Sequence, residues 1–277
     1  MQMNAFANQS VIITGASSGI GRALALRLAA QGAWLSLGAR RLERLQTLAE
    51  ECQQLGGRAL AVLTDVSSQE QCQTLVELTI GEYGRLDMLV NNAGMAVVSK
   101  LGDLPDLHLF EQVVRVNFFG AAHCCFYALP HLKAQRGRIV NVSSLGGKFA
   151  IPYNSCYIAS KHALNGFSDS LRIELAADGV SVTVICPAWV ATEFHESYLD
   201  RDGKPHGPAG RAMYTSKTMS ADRCSEMILQ AAWKRQRELV MPPGRLAEWL
   251  KLLAPAWLDR LAVERFLRPA VRREQSR

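Results

Sequence analysis

The sequence predicts an α/β fold, a three-layer, doubly wound parallel β-sheet of about seven strands with helices on both faces. Two observations carry this. Short β-branched apolar runs alternate with longer stretches of helical periodicity up to about residue 190, and strict alternation of this kind calls for right-handed crossovers between parallel strands. A glycine-rich turn, T-G-A-S-S-G-I-G, follows the first apolar run and opens the first helical one.

In order, the strand candidates are Ser10 to Thr14, Ala33 to Leu37, Arg58 to Leu63, Leu86 to Val90, Gly137 to Val142 and Val180 to Cys186. Between them, apolar residues recur at helical spacing over Gly19 to Ala30, Leu42 to Leu55, Gln69 to Tyr83, Asp106 to Leu129 and Ser155 to Ala177. Thr192 to Met219 breaks the rhythm with Gly203, Pro205, Gly207, Pro208 and Gly210, and is the candidate substrate lid. A helix over Ala221 to Lys234 and a strand over Glu238 to Met241 complete a single domain of residues 1–241. In the tail, residues 242–277, Leu246, Trp249, Leu250, Leu253, Trp257, Leu258, Leu261 and Phe266 recur near helical spacing around a break at Pro255, which predicts an amphipathic helix pair.

Composition narrows the function classes. With 277 residues, 48% hydrophobic and 20% charged, the chain is neither disordered nor a disulfide scaffold. Seven cysteines, an odd number with no C-x-x-C pair, read as reduced thiols, and no His/Cys/carboxylate cluster has metal-ligand spacing. The N-terminus lacks the basic and apolar regions of a signal peptide, and no run of 18 apolar residues occurs, so neither a leader nor a spanning helix is expected. The net charge of +6 resides in the last 44 residues, with 11 Lys or Arg against 5 Asp or Glu, while the body is balanced. That argues against a nucleic-acid interface, which draws on the folded body.

The glycine turn, with Gly15, Gly19 and Gly21, suits a dinucleotide. The glycines allow the tight turn, the approach of a pyrophosphate to the backbone and close helix packing, while the helix N-terminus aims free N–H groups at the phosphates. Ser17, Ser18 and Ile20 belong to the same cradle. After the second strand stand Arg40 and Arg41 instead of a carboxylate. Guanidiniums there pair with a 2′-phosphate, which favours NADP(H) over NAD(H). Tyr157 and Lys161 share a helix face at i and i+4, so the ammonium is expected to lower the pKa of the phenol toward that of a general acid/base. Thirteen residues upstream, Ser144 ends a strand at the ligand-binding edge and can hold a carbonyl oxygen.

T-G-A-S-S-G-I-G, N-N-A-G from Asn91 to Gly94, Asn117, V-S-S ending at Ser144, and Y-x-x-x-K at Tyr157 and Lys161 resemble, in order and interval, the short-chain dehydrogenase/reductase family, whose sheet is Rossmann-like. The resemblance spans about residues 8–192; V-S-S-L-G-G-K looks most like the steroid, retinoid and lipid-carbonyl branch. It implies Tyr157 as acid/base, Lys161 as its electrostatic partner and holder of the nicotinamide ribose, Ser144 as carbonyl orienter, and Asn117 as the residue fixing a water in the proton relay. It also implies cofactor contacts from Asp65 and Val66, from Asn91, Ala93 and Gly94, and from Pro187, Val190 and Thr192. The chain departs from the family in having Pro187-Ala188 where Pro-Gly is common, and Ser18 where many NADP-preferring members have a basic residue.

The expected activity is NADP(H)-dependent interconversion of a carbonyl and an alcohol. The substrate is a medium-sized apolar carbonyl compound, touched by Ser144 and Tyr157 and, from the lid, by Phe194 and Tyr198. The alternative is a noncatalytic NADP(H)-binding redox sensor acting through a protein partner; the presence of Tyr157, Lys161 and Ser144 speaks against it. Two-fold pairing through the long helices, as in the family, gives a homodimer or homotetramer. The tail either packs on the body or a second subunit, or gives a cytoplasmic enzyme a peripheral membrane contact.

Overall fold

The computed structural model describes residues 5–215, 218–242 and 244–264. Seven apolar runs form one sheet: β1 (Ser10–Thr14), β2 (Trp34–Ala39), β3 (Arg58–Leu63), β4 (Met88–Asn91), β5 (Arg138–Val142), β6 (Ser181–Cys186) and β9 (Glu238–Val240). Their order is β3-β2-β1-β4-β5-β6-β9, and every neighbouring pair is parallel. The chain builds outward from β1 to one side, then from β4 to the other, so the order reverses between β1 and β4. A crevice opens there at the carboxyl ends of the strands.

All five residues of β1 are buried, as expected of a central strand covered on both faces. On one face Leu24 and Leu28 of α1 (Gly19–Ala29), Leu45 and Leu48 of α2 (Leu42–Gln54), and Ile228 and Leu229 of α7 (Ala221–Trp233) form a core. On the other lie Leu75 and Val76 of α3 (Gln69–Tyr83), Leu132 of α5 (Gly120–Ala134) and Leu171 of α6 (Ser155–Glu174). Each such leucine contributes about 2 kcal/mol of burial free energy. At the amino edge of the sheet the buried Asp87 carboxylate accepts from Ser10 N at 2.9 Å, and from Arg85 Nε and Nη2 at 2.9 and 2.7 Å. The seven cysteines are free and buried.

The structure redraws several boundaries. β2 runs two residues past its expected end, so Arg40 follows the strand directly. β4 begins at Met88 rather than Leu86, and α6 stops at Glu174 rather than Ala177. The expected single helix over Asp106 to Leu129 is instead α4 (His108–Val114), a π turn at Arg115–Phe119, and α5, which continues through Pro130 to Ala134. Apolar periodicity does not register the one-residue slip of a π turn, which here carries Asn117.

The lid is not wholly irregular. It holds a 3-10 helix at Gly207–Met213, and its base is closed where β7 (Val190–Ala191) pairs with β8 (Met219–Ser220). Pro255 does break the tail, standing at the start of α9 (Pro255–Ala262) after α8 (Gly244–Leu253). Phe266 lies outside the described residues. Lys148 holds α8 to the body: its Nζ lies 2.5 Å from Glu238 and 3.3 Å from Glu248, and its carbonyl accepts from Lys251 Nζ at 2.6 Å. Among the described residues, no helix is long and apolar enough to cross a membrane.

Candidate active site

A continuous cavity of about 1580 Å³ runs along the crevice from the glycine turn to Tyr157 and on beneath the lid. At its first end α1 begins at Gly19, whose φ of +56° is a left-handed conformation that side chains resist. The N-cap side chain, Ser18, makes no cap bond and no acidic residue occupies the first turn, so the helix dipole there is unneutralised. Gly21 does not line the cavity; a Cβ on it would stand 2.5 Å from the Gly15 carbonyl oxygen, so it is needed for packing. Arg41 lies across the turn, donating to Ser17 Oγ at 3.0 Å and Ser18 Oγ at 2.9 Å, while Arg40 is exposed at the rim.

Gly15, Ser17, Ser18, Gly19, Ile20, Arg40, Arg41, Asp65, Val66, Ala93, Gly94, Pro187, Val190 and Thr192 all line the cavity. Asp65 is oriented by its own turn, where Oδ1 accepts from Ser67 N and Oγ at 2.9 and 2.7 Å. Asn91 requires a correction. Its side chain points into the body and donates to Asn141 Oδ1 at 2.9 Å, supporting the sheet instead of facing the crevice. The next residue, Asn92, takes the role the motif implied. Its Nδ2 donates to the carbonyls of Thr14 and Gly15 at 3.0 and 3.2 Å, strapping the glycine turn to β4.

A nicotinamide dinucleotide fits this cavity. One end offers an uncapped helix N-terminus beside two guanidiniums, and the other offers Tyr157 and Lys161, with no break between them. When bound, the nicotinamide supplies the hydride.

At the second end, Tyr157 and Lys161 share the inner face of α6 as expected. The ammonium is 5.7 Å from the phenol ring centroid and donates to the Val142 carbonyl at 2.9 Å. Burial pulls the Lys161 pKa down from 10.5 to about 8. Burial also pushes the phenol of Tyr157 up to about 12, outweighing the opposing hydrogen bond with Ser144. The net shift is therefore upward, against the expected lowering, because burial outweighs the groups that favour the phenolate. Desolvation dominates, and Tyr157 is held as the protonated acid.

Ser144 Oγ also accepts from Gly146 N at 3.0 Å, which fixes its direction. Asn117 does not line the cavity. Its amide donates to the Met95 carbonyl and to Ser160 Oγ, both at 2.9 Å, and its Oδ1 accepts from Met95 N at 2.8 Å. These bonds tie the segment after β4 to α6 and hold Asn117 in place beside the site.

Phe194 and Tyr198 close over the phenol. Their rings are 5.1 Å apart, and Phe194 is 6.2 Å from Tyr157. Sequence reasoning gave three further groups no part in the site. His195 is 6% exposed, stacked on Trp189 at 4.9 Å and bonded through Nδ1 to Tyr214 Oη at 2.7 Å. Burial lowers its pKa to about 4, so it is neutral near pH 7. Tyr214 also bonds the Thr192 backbone, clasping the two ends of the lid. The third group is α9 itself, whose Leu258, Leu261 and Ala262 line the same cavity. A lone polar letter in a lid, or an aliphatic stripe in a tail, gives no sign of such distant partners.

A family model described as short chain dehydrogenase matches residues 9–202. The 11-beta-hydroxysteroid dehydrogenase A of Sesamum indicum is 35% identical over 263 residues, 92% of this chain and 75% of that protein. The 11-beta-hydroxysteroid dehydrogenase 1A of Arabidopsis thaliana is 36% identical over 255 residues, 90% of this chain and 73% of that protein. Among solved structures, a short chain dehydrogenase/reductase from Burkholderia phymatum in complex with NAD superposes with a TM-score of 0.81 at 26% identity, covering 93% of this chain and 97% of that one. An alcohol dehydrogenase from Thermococcus sibiricus complexed with 5-hydroxy-NADP gives 0.72 at 28% identity, covering 84% and 95%. The chain belongs to the short-chain dehydrogenase/reductase family, oxidoreductases that act on CH–OH groups with a nicotinamide cofactor.

Proposed function

We propose that the protein is an NADP(H)-dependent reductase of a medium-sized apolar carbonyl compound, with Tyr157 as the proton donor. The observation that carries this is the Tyr157 phenol, bonded to Ser144, at one end of a cavity whose other end holds Arg40 and Arg41. Ser144 orients the carbonyl oxygen and Tyr157 Oη gives it a proton; the phenolate left behind is stabilised by the nearby Lys161 ammonium. Phe194 and Tyr198 exclude water from the reacting end. The name shared by the Sesamum and Arabidopsis relatives supports a steroid or another polycyclic or lipid carbonyl within that class. The guanidiniums at the end of β2, with no carboxylate between them, support the 2′-phosphate.

The test is NADPH and NADH oxidation by the purified protein across a panel of small aldehydes, quinones, 3-oxoacyl thioesters, sugars, retinal and 3-, 11- and 17-ketosteroids. Turnover with NADPH on an apolar ketone or aldehyde is expected. Turnover confined to sugars or thioesters, or a preference for NADH, overturns the corresponding part of the reading.

We infer assembly and location from exposed apolar surface. Phe119, Phe126 and Ile173 are 48%, 69% and 80% exposed on the faces of α5, α6 and the π turn, which supports a homodimer or homotetramer paired through these helices. Leu252, Leu253 and Trp257 project from the junction of α8 and α9 in a tail that is basic in sequence. This supports peripheral contact of a cytoplasmic enzyme with anionic lipid. Light scattering tests the first, and cosedimentation with vesicles of anionic lipid the second.

A further inference from the structure

We propose that the lid residue Glu193 competes with the cofactor 2′-phosphate for the Arg41 guanidinium, so that it sets the NADPH-to-NADH preference. The inference rests on the NADP(H) reading above and adds to it a residue from outside the cofactor motif.

Three observations place Glu193 there. Its Oε2 lies 2.7 Å from Arg44 Nη1 and 3.5 Å from Arg41 Nη1, so it bridges the two arginines at the start of α2. Arg41 is the same side chain whose Nη2 holds Ser17 and Ser18 of the glycine turn. The residue before Glu193 is fixed on that turn: a Cβ added to Gly19 would stand 3.1 Å from Thr192 Cβ. Glu193 thus pins the first residues of the lid onto the phosphate cradle, and it does so through a group the 2′-phosphate needs.

Two anions cannot both be fully paired by one guanidinium. A 2′-phosphate is the stronger acceptor, carrying more charge and three oxygens, and it draws Arg41 away from the carboxylate. What remains is Glu193, still paired with Arg44 at 2.7 Å, facing the phosphate across the rim, a like-charge penalty that only the phosphorylated cofactor pays. NADH, with a ribose hydroxyl there, leaves the Glu193 pair intact. By linkage, the cofactor that weakens this pair is bound less tightly for having done so, and the lid is held less firmly in its presence.

The test is direct titration of NADPH and NADH against wild type and Glu193→Gln, followed by nucleotide fluorescence, with no substrate present. Glu193→Gln is expected to tighten NADPH about threefold to tenfold and leave NADH within twofold, and the gain should shrink as salt rises, because the pair is about half exposed. Arg44→Gln is the reciprocal variant: with Arg44 gone the carboxylate turns wholly to Arg41, so NADPH weakens while NADH is unchanged. An unchanged NADPH affinity in Glu193→Gln overturns the proposal, as does an equal change for both cofactors, which would mark Glu193 as a lid anchor alone. The two readings separate cleanly. A wild type that prefers NADPH, with Glu193→Gln showing the same ratio, removes this inference and leaves NADP(H) use standing. A wild type without preference that gains one in Glu193→Gln does the reverse.

Discussion

Replacing Tyr157 by Phe removes one oxygen atom and leaves the ring. In the folded protein that oxygen bonds Ser144, whose Oγ keeps Gly146 N as a partner at 3.0 Å, so no buried group is orphaned. The ring keeps its packing against Phe194, 6.2 Å away, and its neighbour Gly146. Stability should therefore change by less than about 1 kcal/mol, the usual scale of one net hydrogen bond. The reaction loses the acid positioned beside Ser144 at the carbonyl end of the cavity. Proton donation by a placed side chain contributes about 10²- to 10⁴-fold, or roughly 3 to 5.5 kcal/mol of barrier. The assay is kcat/KM for NADPH oxidation with the best carbonyl of the panel, read beside the NADPH dissociation constant and the thermal midpoint. A loss of at least about 100-fold with NADPH affinity within a few-fold is expected. A kcat/KM within about threefold of wild type, in a protein that melts normally, would refute the assignment of Tyr157 as the acid.

Four further expectations follow from contacts described above. Since Lys161 has a pKa of about 8 and Tyr157 of about 12, carbonyl reduction should be level up to near pH 8 and fall above it, as Lys161 loses its charge while Tyr157 still holds its proton; a fall beginning only near pH 10 contradicts this. His195 is neutral in the folded lid down to about pH 4 but titrates near 6.5 when released, so stability should decline as pH drops from 6.5 to 4, and His195→Gln should remove that slope from urea melts. Leu258→Asp puts a carboxylate into the apolar end of the cavity and should raise KM for apolar carbonyls about tenfold, with small aldehydes and NADPH affinity little changed; equal effects on all substrates would place α9 outside the substrate site. At the far edge of the sheet, Asp87→Ala strands Ser10 N and Arg85 and should cost about 3 kcal/mol in urea denaturation, with cofactor affinity unaltered.

The parts of the protein readable in advance were those encoded by neighbours in sequence. The strands, the glycine turn and the Tyr157–Lys161 pair each depend on residues within a few positions of one another, so spacing alone locates them. The unread parts depend on meetings between distant segments. Asn91 and Asn92 are adjacent and chemically identical, and which of them faces the crevice is decided by the pleat of β4 against β5. The expectation that Lys161 would lower the Tyr157 pKa weighed charge against charge; it omitted the desolvation that enclosing walls impose on both groups. The seating of α8, which leads into α9, involves Lys148, almost a hundred residues earlier in the chain.

The buried thiols give the molecule a set of internal clocks. Cys52 and Cys224 belong to one helical layer, Cys72, Cys124 and Cys125 to the other, and Cys186 to the sheet edge beside the tail. Burial raises Cys52, Cys125, Cys186 and Cys224 to about 12, so near neutral pH they are inert until something opens. A maleimide added to the native protein therefore records openings, and the order in which these positions are tagged tells which layer parts from the sheet first. No probe has to be engineered, because each face of the fold already carries its own reporter.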